Sequence, residues 1–214
     1  MKVVITCGPG YEPIDEVRRL TNFSTGSLGA SLARHFAARG DEVICFRAAM
    51  ATCRAEADGV RYMEFGTGHD LAHQLEALPD RARVGAVLHT AALSDFIPGR
   101  ILDEHGAEVR EAKISSRAGV LRMELVPAPK IIGRLRAWFP QAFLAGWKYE
   151  VDGSSGGTVE RARSQIEAYG TDASVANGRA YGRGYGICLR GGDFIHAADP
   201  EALAQELEKR FRSD

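Results

Sequence analysis

Thr6–Gly29, TCGPGYEPIDEVRRLTNFSTGSLG, is the stretch that decides the fold. It follows an apolar run, Val3–Ile5, and ends inside a segment with helical spacing, so we interpret it as the turn between a first strand and a first helix. Such a turn presents unpaired backbone N–H groups at the positive end of a helix, which suits an anion. Because it is far longer than a chain reversal requires, we expect it to bind a ligand.

Small and polar residues of this stretch are the first candidate site residues. Ser24 and Thr25 can cap the helix or donate to a phosphate. The middle of the stretch carries three acids, two arginines and Asn22. Four glycines lack the Cβ that would keep a ligand's oxygens from the backbone: Gly8, Gly10, Gly26 and Gly29. We therefore expect Gly8 and Gly26 to approach a bound ligand.

The rest of the chain continues an alternation of strands and helices. Apolar runs predict strands at 2–7, 42–46, 61–65, 84–89, 142–147 and 173–176, and helical spacing predicts helices at 24–39, 69–78, 159–169 and 200–211. The pattern predicts an α/β fold with a doubly wound, Rossmann-like, mostly parallel sheet in a single domain, 1–214. The ligand crevice of such a sheet lies beyond the carboxyl ends of its strands. Because Ala91–Asp95 also follows a strand, it should border the same crevice as the first loop.

Two segments depart from this alternation. The segment around 98–126 includes Leu121–Leu125, which alternates with period two, and it predicts a β-hairpin or flap. Pro127 and Pro129 are expected to open a helix at 131–138. Residues 185–189 and 193–195 predict a second hairpin across Gly191-Gly192.

Composition excludes several classes of function. A net charge of -1 and a pI of about 6.6 give no basic field for nucleic acid. No apolar run approaches the ~20 residues of a membrane span, and no signal peptide precedes the first strand. We therefore expect a cytoplasmic protein that binds neither nucleic acid nor membrane.

Cysteine and histidine spacing gives no metal site. Four cysteines occur without a CxxC pair, and the six histidines show no ligand spacing. Cys45 and Cys188 lie in apolar runs and are expected to be reduced core thiols. Packing is also the expected role of Cys7, because no histidine lies near it in sequence to act as a base.

A nicotinamide dinucleotide is a rival ligand for the first loop. The dinucleotide motif needs GxGxxG and an acid at the end of the second strand. Gly8 and Gly10 have no third glycine in register, and Arg47 stands where the acid should be. Arg47 is able to accept a 2′-phosphate, so an NADP-dependent oxidoreductase stays open as an alternative.

Several blocks together resemble the phosphopantothenoylcysteine synthetase family. GPGYEPIDEVRRLTNFSTGSLG is similar to the family's GPTxEPID, VRxIxN and SSGxMG in the same order. AALSDF resembles AAVSDF, Lys113-Ile114 the start of KIKK, and Val126–Ile131 the motif TPxIL. GWKYE at 146–150 is similar to GFKLE, and Val175–Asn177 to the start of VANDV.

The resemblance implies an activity. Members of the family join 4′-phosphopantothenate to cysteine in coenzyme A biosynthesis, with CTP or ATP and Mg²⁺. The carboxylate attacks the nucleotide α-phosphate, pyrophosphate leaves, and the amine of cysteine displaces the nucleoside monophosphate. Catalysis of this kind rests on positioning and charge neutralisation.

The resemblance also implies roles for individual residues. Asn22, Lys113 and Asp95 would be catalytic, with Asn22 holding the substrate carboxylate and Lys113 stabilising charge from a flap. Arg18 would bind the phosphate of the neighbouring subunit's substrate. Ala91 and Ala92 would also belong to the substrate site. The nucleotide would be bound by Gly8, Ser24, Thr25, Gly26, Trp147, Lys148 and Asn177.

Departures from the family pattern leave a second hypothesis open. SSGKMG becomes STGSLG and KIKK becomes KISS, so three lysines are lost. Arg117, Arg179 or Arg183 could replace them. Otherwise the chain is a non-catalytic nucleotide-binding or regulatory paralogue. A stand-alone homodimeric ligase without FMN is the leading hypothesis, with the 98–126 excursion at the dimer interface.

Overall fold

The computed structural model describes residues 1–212, which form twelve strands and five α-helices. The strands are β1 Lys2–Cys7, β2 Tyr11–Pro13, β3 Arg19–Thr21, β4 Glu42–Ala48, β5 Val60–Phe65, β6 Val84–His89, β7 Phe96–Leu102, β8 Arg122–Pro127, β9 Phe143–Tyr149, β10 Ala173–Asn177, β11 Tyr185–Leu189 and β12 Phe194–Ala197. The α-helices are α1 Ser27–Ala38, α2 Gly68–Glu76, α3 Leu135–Trp138, α4 Ser155–Tyr169 and α5 Pro200–Phe211.

An eight-stranded sheet organises the molecule, in the order β12-β11-β10-β9-β6-β1-β4-β5. The six strands from β10 to β5 pair in parallel, and β11 and β12 add antiparallel pairs at one edge. Strand order reverses beside β1, because the chain adds β4 and β5 on one side and β6, β9 and β10 on the other. The predicted doubly wound, mostly parallel sheet is confirmed.

Apolar clusters cover both faces of this sheet. One contains Leu32 and Phe36 of α1 with Leu203 and Leu207 of α5, and the other contains Leu71 of α2 among others. Parallel strands buried on both faces explain why β1, β4 and β6 read as continuous apolar runs. Cys7, Cys45 and Cys188 are buried free thiols, so the core packing predicted for them is confirmed.

The first loop has structure that its sequence did not reveal. β2 and β3 form a small antiparallel hairpin, and α1 begins at Ser27, three residues later than predicted. Its N-cap is Gly26 in a left-handed conformation, with no side-chain cap. Neither Ser24 nor Thr25 is the N-cap residue, but Thr25 Oγ1 accepts from Ser27 N, the first N–H of α1, at 3.3 Å. The capping interpretation therefore holds in part, for Thr25.

A longer hairpin, formed by β7 and β8, projects from the main sheet. β7 and β8 pair in an antiparallel two-stranded sheet, which confirms the predicted excursion. The long connection between them returns to the first hairpin, where Glu16 N donates to Ala112 O at 2.9 Å and Ile114 N to Asp15 Oδ2 at 3.2 Å. The two hairpins therefore support one another.

The segment after Pro129 is less helical than predicted. A 3-10 turn, Ile131–Arg134, leads into α3, which has four residues. No helix within residues 1–212 has the length and apolar character needed to cross a membrane.

Candidate active site

A cavity of about 970 Å³ lies at the carboxyl ends of β1, β6, β9 and β10. This is the side of a parallel sheet, and the switch in strand order, at which doubly wound folds bind ligands. Its volume is at the upper end of ordinary small-molecule sites. Ten of the residues singled out from the sequence line it: Asn22, Ser24, Thr25, Gly26, Ala91, Ala92, Asp95, Trp147, Lys148 and Asn177.

The first loop and the segment after β6 are joined by hydrogen bonds. Ala92 N donates to Gly8 O at 3.0 Å, and Gly10 N donates to Ala92 O at 3.2 Å. Asn22 Nδ2 donates to Leu93 O at 2.9 Å. The two segments thus border one crevice, as predicted. Ala91 and Ala92 have their N–H groups engaged within the protein, so they leave room for a ligand rather than offering it donors.

The first turn of α1 faces the cavity. Leu28 and Gly29 line it, and their N–H groups lie before the first intrahelical bond, Ala30 N to Gly26 O at 3.1 Å. These donors and the positive end of the helix dipole are suited to an anion.

Three cations line the same cavity: Lys130, Lys148 and Arg161. Lys130 pairs with Asp95. Lys148 Nζ and Arg161 Nε lie 3.2 and 3.4 Å from Glu150 Oε1. Sequence reasoning missed Lys130 and Arg161 as site residues. The scarcity of lysine was a signal for Lys130, whereas Arg161 was hidden among the many arginines.

Two buried polar atoms of cavity residues have no hydrogen-bond partner within residues 1–212. They are Trp147 Nε1, a donor, and Asn177 Oδ1, an acceptor. Asn177, Tyr149 and Tyr185 also line an adjoining pocket of about 510 Å³. Unpartnered buried polar atoms are costly, and both belong to residues that line the cavity.

Three predicted site residues do not line the cavity. Gly8 is buried, and a Cβ there would lie 2.7 Å from Ala51 Cβ, so its missing side chain serves packing. Gly29 does line the cavity, but its missing side chain serves packing too, since a Cβ would overlap Cys7 of β1. Arg18 donates to Ile114 O on the long connection between β7 and β8. Lys113, beside it, is exposed.

Arg47, the residue considered for a 2′-phosphate, is not available for one. Its side chain is 9% exposed, its Nη2 lies 3.1 Å from Glu56 Oε1, and its guanidinium stacks over Tyr62 at 4.4 Å. It is also absent from the cavity wall. The geometry removes the main support for NADP.

The donor set offers little to a metal ion by itself. Within the described chain, no group of three or more His, Cys, Asp or Glu side chains is arranged to hold one. Among the described residues that line the cavity, Asp95 is the one with a carboxylate side chain. Mg²⁺ commonly binds through one or two carboxylates together with substrate phosphates, so Asp95 fits an ion carried by a nucleotide.

The fold and the site together define a doubly wound α/β protein whose switch-point cavity is lined by a helix N-terminus and three cations. The chain belongs to the DNA/pantothenate metabolism flavoprotein C-terminal domain family, whose pattern matches residues 1–191. The resemblance to phosphopantothenoylcysteine synthetases is thereby confirmed.

The chain is also similar in sequence to individual proteins. It is 30% identical over 212 residues to the Thermococcus kodakarensis coenzyme A biosynthesis bifunctional protein CoaBC, covering 98% of this chain and 49% of that protein. It is 27% identical over 225 residues to phosphopantothenate–cysteine ligase 1 of Arabidopsis thaliana, covering 82% and 68%. The chain spans about half the length of the bifunctional relatives it matches.

Solved structures share the fold. The DNA/pantothenate metabolism flavoprotein from Streptococcus pneumoniae superposes with a TM-score of 0.86 at 24% identity, over 99% of this chain and 98% of that one. A Cab2 mutant, H337A, in complex with phosphopantothenate-cysteine superposes with a TM-score of 0.74 at 19% identity, over 98% and 86%.

Proposed function

We propose that this chain is a phosphopantothenate–cysteine ligase that uses CTP or ATP. A carboxylate oxygen of the acid attacks the α-phosphorus as the bond to pyrophosphate breaks. The amine nitrogen of cysteine then attacks the acyl carbon, the bond to the nucleoside monophosphate breaks, and the amine gives up a proton. Family membership, one relative named for coenzyme A biosynthesis and another named phosphopantothenate–cysteine ligase support the proposal.

One observation carries the proposal: the cavity joins an anion-binding helix end, three cations and Asn22 around a single volume. A reaction between an acid and a nucleoside triphosphate brings together several negative charges. Fixed donors and cations lower the cost of that encounter and stabilise the charge that develops at phosphorus and at the acyl oxygen.

The cavity residues divide into two groups under this proposal. Asn22, next to Ala91, Ala92 and Asp95, would hold the acid, because the amide can donate to a carboxylate without adding charge. The first turn of α1 with Lys148 would bind the phosphates, and Trp147 and Asn177 would contact the base or ribose. Asp95 would contribute one oxygen to a Mg²⁺ ion held mainly by the phosphates.

The same proposal makes the enzyme a homodimer. Arg18 and Lys113 lie outside the cavity of their own chain, on hairpins that project from the sheet. Exposed apolar side chains occupy the same region, including Val17 (57% exposed), Val120 (61%) and Leu125 (48%). A second copy that covers this surface would bring Arg18 to the cavity of that copy, as the family resemblance implies, and Lys113 lies on the same surface.

Pyrophosphate release tests the proposed function. The purified chain should release pyrophosphate only when 4′-phosphopantothenate, Mg²⁺ and either CTP or ATP are all present, and cysteine should accelerate turnover. A panel of other carboxylates with both nucleotides identifies the substrate. Nucleotide binding without turnover would favour the non-catalytic paralogue, and oxidation of NADPH would favour the oxidoreductase.

A further inference from the structure

His89 is a buried polar residue at the edge of the cavity whose role the proposed function does not use. It is the last residue of β6 and pairs with Thr6 of β1. The residue is 8% exposed, yet it lines the cavity. Its Nδ1 lies 2.8 Å from the hydroxyl oxygen of Thr6, which is fully buried.

The contacts of the Thr6 hydroxyl fix the position of the imidazole proton. The backbone N of Ala91, which can only donate, lies 3.2 Å from Thr6 Oγ1, so the hydroxyl oxygen accepts there. The hydroxyl proton then needs an acceptor, and His89 Nδ1 is the one within reach. Because buried hydroxyls rarely go without a partner, Thr6 donates to Nδ1. The proton of a neutral ring therefore resides on Nε2.

Nε2 is the part of the ring left for a ligand. It has no hydrogen-bond partner within residues 1–212. Three side-chain atoms of that range have neither a hydrogen-bond partner nor contact with open space, namely Trp147 Nε1, Thr171 Oγ1 and Asn177 Oδ1, and His89 Nε2 is not among them. It therefore keeps contact with open space, and the cavity is the open space that His89 borders. Burial lowers the pKa of His89 to about 4, which keeps the ring neutral near pH 7.

Neighbouring donors are already engaged. Ala91 N–H donates to Thr6, Ala92 N–H to Gly8 O, and Asn22 Nδ2 uses one hydrogen on Leu93 O. Nε2–H of His89 is thus a fixed, neutral donor beside the Asn22 and Ala91–Asp95 segments. Its natural acceptor is a ligand oxygen, and a neutral donor suits a carbonyl or carboxylate oxygen more than a phosphate, which the cations serve.

We propose that His89 is a further ligand-binding residue, which donates from Nε2–H to an acyl or carboxylate oxygen of the acid, with Thr6 holding the tautomer. The identity of the acid rests on the proposed function. The tautomer does not, because it follows from protein contacts alone.

Nitrogen-15 NMR of the intact unliganded protein tests the tautomer. At pH 7 the His89 signals, assigned by their loss in His89→Gln, should show a protonated Nε2 and an acceptor Nδ1. Thr6→Val should abolish this preference. A proton on Nδ1, or an equal mixture of tautomers in the unaltered protein, would overturn the proposal.

Addition of 4′-phosphopantothenate tests the contact. The indole N–H of Trp147 reports occupation of the cavity, and the His89 Nε2–H signal should shift with it. If Trp147 responds and His89 does not, the contact is wrong while the proposed function stands. If neither responds, the proposed function fails and the assignment of the acid fails with it.

Kinetics of two variants separates contact from packing. His89→Phe keeps a ring but no donor, and it should lower kcat/KM for the acid by about tenfold, with little change in KM for the nucleotide. His89→Gln keeps a side-chain N–H donor and should retain most of the activity. A folded His89→Phe enzyme with the unaltered kcat/KM contradicts the proposal. If His89→Phe does not fold, the kinetics of Thr6→Val decide instead. Loss of activity in Thr6→Val, with KM values for the nucleotide and the acid that higher pH does not restore, supports the positioning role of Thr6. Unaltered kinetics in Thr6→Val contradicts it.

Discussion

Asn22 is the residue on which the proposed chemistry depends most directly. Its side chain is anchored by one hydrogen bond to Leu93 O and otherwise faces the cavity. Asn22→Asp removes the donor and puts a negative charge beside the bound carboxylate. We expect turnover to fall by ~100-fold or more, since loss of one positioned donor alone has that effect, and the measurement is steady-state pyrophosphate release.

The matched control for this substitution is Gln141→Glu. Gln141 is exposed and does not line the cavity, so the same change of charge should leave turnover unaltered. Both variants should unfold at nearly the same temperature as the unaltered protein, because both sites are exposed. Full activity in Asn22→Asp would remove Asn22 from the reaction.

Burial of His89 makes the stability of the fold dependent on pH. Its pKa is lowered to about 4 by burial, whereas an unfolded chain gives a histidine a pKa of about 6.5. Between these values the unfolded state binds a proton that the folded state does not. The stabilisation is therefore complete above about pH 6.5 and is lost as the pH falls towards 4.

The free energy of unfolding of the unaltered protein should therefore drop faster on acidification than that of His89→Gln. Between pH 7.5 and pH 4.5 the drop in the free energy of unfolding should be larger for the unaltered protein by about 2 to 3 kcal/mol. Urea unfolding at a series of pH values measures it, and the shared carboxylates cancel in the comparison. Parallel curves would mean that His89 titrates normally in the folded protein.

At the scale of elements, α1 depends on a glycine for its close approach to β1. A Cβ at Gly29 would overlap Cys7 Cβ and lie 3.0 Å from Thr90 Oγ1, so Gly29→Ala forces the helix away from the strand. Overpacking of this kind destabilises by about 1 to 3 kcal/mol. It should also displace the first turn of α1 from the cavity and weaken nucleotide binding.

Gly156→Ala is the control for this glycine. Gly156 lies in the first turn of α4, and a Cβ there meets nothing within 4 Å. Alanine favours a helix over glycine by up to about 1 kcal/mol, so this variant should be as stable as the unaltered protein or more so. Thermal unfolding compares the two. Equal midpoints for both variants would show that α1 can move away from β1 at no cost.

Helix α4 supplies the cation that sequence reasoning overlooked. Arg161 lines the cavity, whereas Arg163, two residues along the same helix, is exposed and donates to Gly192 O at 3.1 Å. Arg161→Met should raise KM for the nucleotide by about tenfold, because one charge-assisted contact is lost. Arg163→Met should leave KM unchanged. The opposite ranking would place the phosphates away from α4.

Periodicity made most of the sheet predictable, because buried parallel strands read as apolar runs and their helices show regular spacing. β2 and β3 were missed because each has only three residues and each carries a charge, and because β2 ends in Pro13. Arg161 was missed for a different reason: a surface arginine on a helix has the same local pattern whether it faces solvent or a cavity. Only the packing of α4 against β9 and β10 decides which side it faces.

Two of the glycines predicted to admit a ligand have a packing role that the sequence did not reveal. A glycine that lets a ligand approach and one that lets two segments of the chain approach each other look alike in sequence, since both simply lack a Cβ. A Cβ at Gly8 would meet Ala51 and Ala48, and one at Gly29 would overlap Cys7 of β1, whereas Gly26 lines the cavity as predicted. Ala91, Ala92 and Asp95 were placed correctly at the cavity because they follow β6, whose end the periodicity defines. Asn22 was placed there because it lies in the loop after β1 and in a block that resembles the family pattern.

At the scale of the whole molecule, the proposed site is divided between two copies. Asn22, Asp95 and Lys148 line the cavity of one chain, while Arg18 and Lys113 lie on its projecting hairpins and do not. In the proposed dimer, the exposed apolar residues on those hairpins would provide the contact surface. Leu125→Glu should therefore shift the protein to monomers in analytical ultracentrifugation and abolish turnover.

Mixing two inactive variants tests whether Arg18 acts in the partner's site. In a dimer of an Asn22→Asp chain with an Arg18→Ala chain, one site would receive both substitutions and the other neither, if Arg18 crosses the interface. Random exchange makes half of the dimers mixed, so activity should recover to about a quarter of the unaltered level. If Arg18 serves its own chain, every site carries one defect and activity stays at the level of the separate variants, because no exchange of subunits can then assemble an intact site.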